Sequence, residues 1–297
     1  MENLKVALRY GISTRSVDAN GYLCDFLDNV YGNKMNEEHR KMFEHGSGSE
    51  LQTKARAVHS SSMLGYNFFS WIDEQHPFIW EDVSYTKVYF EVQLRTIRRS
   101  PAPANMDIVL DGTNKDGKRV LLFIESKFLE YTSKGAYKLS SSYSNWKNYF
   151  ENTGDWGAID YEMRVETRSQ NERYNEGLKQ SFCHLVALNA MRDERALAWF
   201  NTNNVLKIDN LNDVEIRFMN AIFSPNERFG AEHKLYNDYK EYYAWFMRFI
   251  ERIAPYSVQP KWFSYSDIWK QMKSQINDQD RIAFLQRRYM DFAEICK

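Results

Sequence analysis

Between residues 87 and 128 the chain alternates apolar and polar positions in a way that predicts three short consecutive strands. Lys87–Leu94 alternates with a period of two, Met106–Asp111 follows after a loop with two prolines, and Arg119–Phe128 contains an unbroken apolar run. Such a run is typical of a strand buried on both faces. The third strand is therefore expected to be covered by other elements on each side.

The turn between the second and third strands sets the expected register of their pairing. It contains an Asp-Gly pair ending at Gly117, which is typical of tight hairpin turns. If the loop has three residues and Gly117 is left-handed, Asn114 pairs with Lys118. The same register places Asp107 opposite Glu125, with the two Cβ atoms about 5 Å apart. An error of one residue would send Asp107 to the other face.

Glu125 and Lys127 are two residues apart on the third strand, so both side chains are expected on the face of Asp107. Burying these charges is costly unless they pair or bind a metal. Two carboxylates suit Mg²⁺, and a neighbouring lysine suits attack of water on a phosphodiester. The simpler alternative is a salt-bridged hairpin in which Lys127 neutralises both acids.

Glu91, on the first strand, has two interpretations. It joins the acidic cluster if its face matches that of Asp107. It is otherwise a solvent-side residue of an outer strand, which is the interpretation we favour from the alternation alone.

The rest of the chain is mainly helical, with one further strand predicted at Asp213–Phe223. This order of elements indicates an α/β or α+β layered domain with a mixed sheet. We expect one domain over residues 1–297, divided into a helical N-terminal extension (1–58), a core (59–225) and C-terminal helices (226–297). The predicted helices are Val17–Val30, Asn36–Glu44, His59–Ile72, a Ser/Tyr-rich helix ending at Phe150, Glu172–Arg192, Leu235–Ile253, Phe263–Ile276 and Asp280–Ile295.

The 297 residues carry 39 basic and 40 acidic side chains, so the net charge of −1 offers no general attraction for nucleic acid. Contacts with DNA would have to come from local patches, and each patch is more often a solvated face. The first residues carry no apolar core of the kind expected in a signal sequence, and no apolar run approaches the ~20 residues that span a membrane. The three cysteines form no CxxC pair. A cytoplasmic protein is the expectation. The two candidate patches are Arg95, Arg98 and Arg99, and Arg281, Arg287 and Arg288.

The order of Asp107, a hairpin, and Glu125-x-Lys127 on an apolar strand resembles the PD-(D/E)XK nuclease superfamily. The proline of the family motif is replaced by Met106. The resemblance implies a restriction-endonuclease-like core: a mixed sheet with an antiparallel hairpin, flanked by helices. It also implies that Asp107 and Glu125 hold Mg²⁺, for which Mn²⁺ can substitute, and that Lys127 positions the nucleophile.

Two predicted helices resemble helices of the same superfamily. In many Glu-x-Lys nucleases the helix after the motif carries a glutamine facing the site, which here corresponds to Gln180. His184 and Lys179 are weaker candidates on that helix. The segment around Ser61 and Asn67 resembles the first helix of one bacterial branch, so both are possible neighbours of the site.

The sequence therefore predicts a Mg²⁺-dependent nuclease that hydrolyses DNA phosphodiester bonds, with Asp107, Glu125, Lys127 and Gln180 as its site residues. A homodimer would suit cutting of both strands. Two other classes stay open. One is a non-catalytic nucleic-acid or protein binding module that keeps the fold. The other is a phosphoesterase acting on a small nucleotide, which the weak basic character favours.

Overall fold

The computed structural model shows an α/β fold in which helices flank a six-stranded mixed sheet, with strands in the order β1-β2-β3-β4-β5-β6. It describes residues 2–9, 12, 17–18, 20–46, 49–98, 102–132, 150, 175–253 and 258–294. The strands are β1 (Phe78–Trp80), β2 (Val83–Leu94), β3 (Ala104–Asn114), β4 (Arg119–Lys127), β5 (Val214–Ile222) and β6 (Pro260–Ser264). The α-helices in these residues are α1 (Glu2–Arg9), α2 (Glu37–His45), α3 (Ser61–Phe69), α4 (Asn175–Ala190), α5 (Glu194–Asn203), α6 (Lys234–Ile253), α7 (Tyr265–Met272) and α8 (Gln279–Arg288).

The central hairpin has the predicted loop and register. The amide of Asn114 donates to the carbonyl of Lys118 over 2.9 Å, and Gly117 has a φ of +80°. Only glycine adopts this left-handed backbone without strain. Pairing runs from Thr113 with Arg119 up to Ile108 with Ile124. The three consecutive antiparallel strands are therefore confirmed.

Beyond the hairpin the sheet becomes parallel. The predicted strand at Asp213–Phe223 is β5, which pairs in parallel with β4, and β6 pairs in parallel with β5. Strand β6 lies partly within the predicted helix Phe263–Ile276, whose helical part begins only at Tyr265. Ser264 caps that helix in a reciprocal capping box with Asp267. The C-terminal third of the chain thus adds a strand to the sheet.

The two faces of the sheet are covered by different helices. On one face, Gly65 of α3 packs against Ile108 and Ser126, and the hydroxyl of Tyr265 in α7 hydrogen-bonds to Ser126. On the opposite face, His184 of α4 contacts Glu125. Strand β4 is therefore buried on both faces, as its apolar run predicted.

One predicted helix is absent from the described structure, and another lies outside the described residues. The predicted helix Val17–Val30 is wrong, because in the described residues this stretch holds a bridge between Val17 and Leu23 and a single 3₁₀ turn at Phe26–Asn29. Asp25 accepts a hydrogen bond from the amide of Leu27 and so caps that short turn. The Ser/Tyr-rich helix ending at Phe150 falls on residues 133–149, outside the described part.

Arg288 joins the two ends of the chain inside the protein. Its side chain is fully buried and donates hydrogen bonds to the carbonyl of Leu8, to Asn29 Oδ1 (2.8 Å) and to the carbonyl of Val58 (2.6 Å). A planar guanidinium suits this role because its donors point in several fixed directions. Arg288 is therefore not part of the basic surface expected with Arg281 and Arg287.

The other patch arginines also bond within the protein. Arg281 donates to the carbonyl of Asn67 and to Ser70, and its guanidinium lies over the ring of Tyr31. Arg95 donates to the carbonyls of Ile97 and Arg98 and lies 5.5 Å from the ring centre of Trp199. Arg99 lies outside the described residues. None of the helices in the described part is long and apolar enough to cross a membrane.

We predict that Arg288→Ala destabilises the protein strongly, because three buried acceptors lose a charged donor at once. The expected fall in the free energy of unfolding is on the order of 3 kcal/mol. Urea unfolding followed by circular dichroism measures it. The matched control is Arg287→Ala, which removes the exposed neighbour and is expected to change stability by less than about 0.5 kcal/mol. Equal effects of the two substitutions would contradict the tethering role.

Candidate active site

Asp107, Glu125 and Lys127 lie on one face of the central hairpin. One position beyond the last pair, Ile108 with Ile124, the register places Asp107 opposite Glu125. Ser126, between the two motif residues, points to the other face, where its hydroxyl donates to the carbonyl of Ser61. The candidate residues on the hairpin are thus brought together as the sequence predicted.

Glu125 is held between two nitrogen-bearing side chains. Lys127 Nζ donates to Glu125 Oε1, and His184 Nε2 lies 2.8 Å from Glu125 Oε2. All three side chains are at least 94% buried. The edge of the His184 ring also faces the ring of Phe218, which limits its movement.

These contacts keep Glu125 and Lys127 charged despite their burial. Burial alone would raise the pKa of Glu125, but Lys127 and His184 outweigh it and lower the pKa to about 2. Burial likewise works against the charged form of Lys127, and Glu125 reverses this and raises its pKa. Removing either member of such a pair leaves an uncompensated buried charge.

Asp107 is in the opposite electrostatic situation. Its Oδ2 accepts a hydrogen bond from the amide of Ser126 over 2.7 Å. Burial of the carboxylate and repulsion from Glu125 nevertheless raise its pKa well above the ordinary value, with Lys127 opposing them. Asp107 as a whole is only half-buried, so it is the most accessible acid of the hairpin site.

Glu91 belongs to the same acidic cluster, so our preference for a solvent-side residue is wrong. Its side chain is buried, and it sits opposite Asp107 where the pairing of β2 and β3 skips a position. The φ of Glu91 is +51°, a left-handed backbone, yet the register is the same on both sides of it, from Phe90 with Ile108 to Val92 with Met106. A Cβ at Gly46 would lie 2.6 Å from the Cβ of Glu91, so Gly46 leaves room for it.

Burial raises the pKa of Glu91 to about 8, and repulsion from Glu50 and Glu125 adds to the shift. Asn105 opposes it by donating to Glu91 Oε2 over 3.3 Å. Glu50 is also buried and accepts a hydrogen bond from Ser62. The site therefore contains more negative charge than Lys127 alone can balance.

Sequence analysis missed Glu50, Asn220 and Ser181. Asn220 pairs with Glu125 in the parallel register, so the two side chains lie side by side on the same face. Its Oδ1 accepts from the hydroxyl of Ser181, one residue after Gln180 on α4. A local pattern could not reveal Asn220, because its position depends on the alignment of two strands whose paired residues are 95 positions apart, as 125 and 220 are.

The remaining candidates lie on the flanking helices. Gln180 is half-buried one turn before His184, and its predicted role in the site stays a prediction. His184, given less weight from the sequence, makes the contact with Glu125. Asn67 is fully buried and bonds to the amide of Tyr31, the carbonyl of Asn29 and the hydroxyl of Tyr289. Its amide therefore joins the N- and C-terminal parts of the chain.

We asked whether these residues suit a divalent cation. Within the described residues, no group of three or more His, Cys, Asp or Glu side chains is arranged to hold a metal. Mg²⁺, however, usually uses only one or two carboxylates and fills its other positions with water and substrate. Glu125 Oε2 is buried without a hydrogen-bond partner, and Asp107 lies opposite on the same face. The donors thus suit an open, two-carboxylate site.

Comparisons of the chain with protein-family models, with curated proteins and with solved structures found no match.

We predict that Glu91 makes stability depend on pH in metal-free buffer. Its folded pKa of about 8 lies above the ordinary 4.5, so between these values the folded protein holds a proton that the unfolded chain releases. The free energy of unfolding therefore falls as pH rises through this window. The Glu91→Gln variant has no carboxyl group to titrate at this position, so its stability does not fall in this way. Its free energy of unfolding relative to wild type should therefore rise by up to a few kcal/mol towards pH 8.

Urea unfolding of both proteins at several pH values across this window provides the measurement. Glu251→Gln, which replaces an exposed glutamate on α6, serves as the control and should follow the wild type at every pH. A stability difference between Glu91→Gln and wild type that does not change with pH would exclude the proposed shift.

Proposed function

We propose that this protein is a metal-dependent nuclease with a restriction-endonuclease-like core. The observation that carries the proposal is the grouping of Asp107, Glu125 and a buried, charged Lys127 on one face of the central hairpin. The mixed sheet supports the fold part of the proposal, with its three antiparallel strands followed by two parallel ones and helices on both faces.

The roles of the residues follow from their surroundings. A divalent cation held by Asp107 and Glu125 would supply Lewis-acid activation of a phosphodiester. Lys127, fixed by Glu125, places a permanent positive charge next to the position where negative charge develops on the phosphate. The amide of Ser126 fixes Asp107 to the strand that carries both partners. Because these groups are held by a buried sheet, little reorganisation is needed when substrate binds.

DNA is the substrate class that the resemblance favours, and the protein would bind it through local phosphate contacts rather than through its net charge. The bonding of Arg95, Arg281 and Arg288 within the protein reduces the basic surface available for a long duplex. This observation favours, as a second candidate, a phosphoesterase acting on a small nucleotide. Cleavage assays distinguish the nuclease from the phosphoesterase. The substrates are plasmid, linear duplex, single-stranded DNA, RNA and a dinucleotide, each with Mg²⁺ and with Mn²⁺.

We predict that Asp107→Asn abolishes cleavage without destabilising the protein. The amide oxygen of Asn can still accept the hydrogen bond from Ser126, while the repulsion with Glu125 and Glu91 disappears. Cleavage of a DNA substrate in Mg²⁺ should fall at least about 100-fold, which corresponds to about 2.7 kcal/mol in the barrier. The melting temperature in chelator should stay the same or rise, since removal of a destabilising charge is favourable.

Asp111→Asn is the matched control on the same strand. Asp111 pairs with Arg119 over 2.7 Å, so its loss should lower stability slightly and leave cleavage near the wild-type rate. If the wild type cleaves none of the substrates with either metal, the nuclease proposal fails and a binding module remains. If Asp107→Asn cleaves as fast as wild type, the assignment of Asp107 is wrong.

A further inference from the structure

Buried polar atoms without a hydrogen-bond partner gather around one carboxylate on the α4 face of the sheet. They are Glu125 Oε2, both ring nitrogens of His184, and Nδ2 of Asn220. The three residues are only 1%, 2% and 0% exposed. Buried polar groups in folded proteins are nearly always paired. Several unpaired ones at a single point indicate a place adapted to bind a ligand.

The distance between two of these atoms indicates which ligand. His184 Nε2 and Glu125 Oε2 are 2.8 Å apart. Two ligands of one metal ion, each about 2.1 Å from it and at right angles, are separated by about 3 Å. Because Lys127 occupies Oε1, the oxygen that Glu125 presents is Oε2. Asn220 Nδ2 is a donor and cannot bind a cation.

We propose that His184 and Glu125 act together as a nitrogen and an oxygen ligand of the divalent cation. The site then prefers Mn²⁺, Co²⁺ or Ni²⁺ to Mg²⁺, because imidazole favours first-row transition ions and Mg²⁺ favours oxygen. This inference rests on the metal-binding part of the proposed function and does not require cleavage.

The competing explanation is an ion pair, in which a protonated His184 only balances the charge of Glu125. The two explanations differ in what the imidazole does when a metal is present. A ligand binds the ion directly through nitrogen, whereas a protonated partner stays away from it. Pulsed electron paramagnetic resonance of bound Mn²⁺ distinguishes them, because a directly bound imidazole nitrogen modulates the electron spin echo.

The experiment uses the full chain with one equivalent of Mn²⁺. We expect imidazole-nitrogen modulation in the wild type and its loss in His184→Gln. Isothermal titration should show that this substitution weakens Mn²⁺ and Ni²⁺ at least about tenfold, the size expected when a direct ligand is lost. Mg²⁺ affinity should change by less than about threefold, since its preferred ligands are oxygens. Circular dichroism establishes that the variant is folded. The resonance spectrum of the wild type does not depend on the variant, and a lack of nitrogen modulation in it is decisive by itself.

His76→Gln is the control for histidines that bind metal at the surface. His76 forms the exposed His–carboxylate pair of the described residues, 3.0 Å from Asp73, and its replacement should change neither the spectrum nor the affinity. Mn²⁺ that binds without nitrogen modulation, modulation that survives in His184→Gln, or no binding at all would overturn the inference. A protein that binds Mn²⁺ through His184 but cleaves nothing would keep the inference and refute the nuclease. If His184→Gln cleaves in Mg²⁺ as fast as wild type and the wild type shows no nitrogen modulation, the nuclease proposal stands and the inference about His184 is refuted.

Discussion

The ion pair between Lys127 and Glu125 is the interaction on which the rest of the site depends. Both charges lie on a strand that is covered on both faces, where an unpaired charge is highly unfavourable. Breaking a buried pair by removing one partner typically costs 3–5 kcal/mol, roughly half the stability of an ordinary domain. The pair therefore fixes the position of both groups within narrow limits. A reactive site gains from that rigidity, because its charged groups are already in place before substrate arrives.

The three polar residues that end β4 are each anchored by a different part of the fold. Glu125 faces α4, while Ser126 faces α3 and α7, where it bonds to the carbonyl of Ser61 and the hydroxyl of Tyr265. The amide of Ser126 holds Asp107 on β3. One tripeptide thus links the hairpin to both helical layers. Because side chains alternate along the strand, Glu125 and Lys127 share one face of the sheet. Ser126 lies on the opposite face, where it contacts the core.

Local patterns in the sequence were sufficient for the hairpin and insufficient for its partners. Gly117 and the apolar run before Glu125 determine the loop and register by short-range rules. Glu91 was misplaced because its face relative to Asp107 depends on the pairing of β2 with β3, which the sequence of neither strand shows alone. Asn220 could not be found because its neighbourhood depends on a parallel pairing, which leaves no signal in either strand alone. Helical spacing put Gln180 and His184 on one face of α4 but could not tell which turn meets β4.

The distribution of charge in the site argues against a purely structural role. A structural cluster would be expected to balance its charges, yet burial and mutual repulsion raise the pKa values of Asp107 and Glu91, while Lys127 and His184 balance Glu125. Acids whose pKa values are raised in this way reduce stability near neutral pH. Features that reduce stability without improving packing are concentrated at functional sites, where a ligand restores the balance. A divalent cation is the simplest such ligand, since it would turn the repulsion between the opposed carboxylates of β3 and β4 into shared attraction. The raised pKa values of these buried acids, which a bound cation would lower, therefore support the proposed metal site independently of the sequence motif.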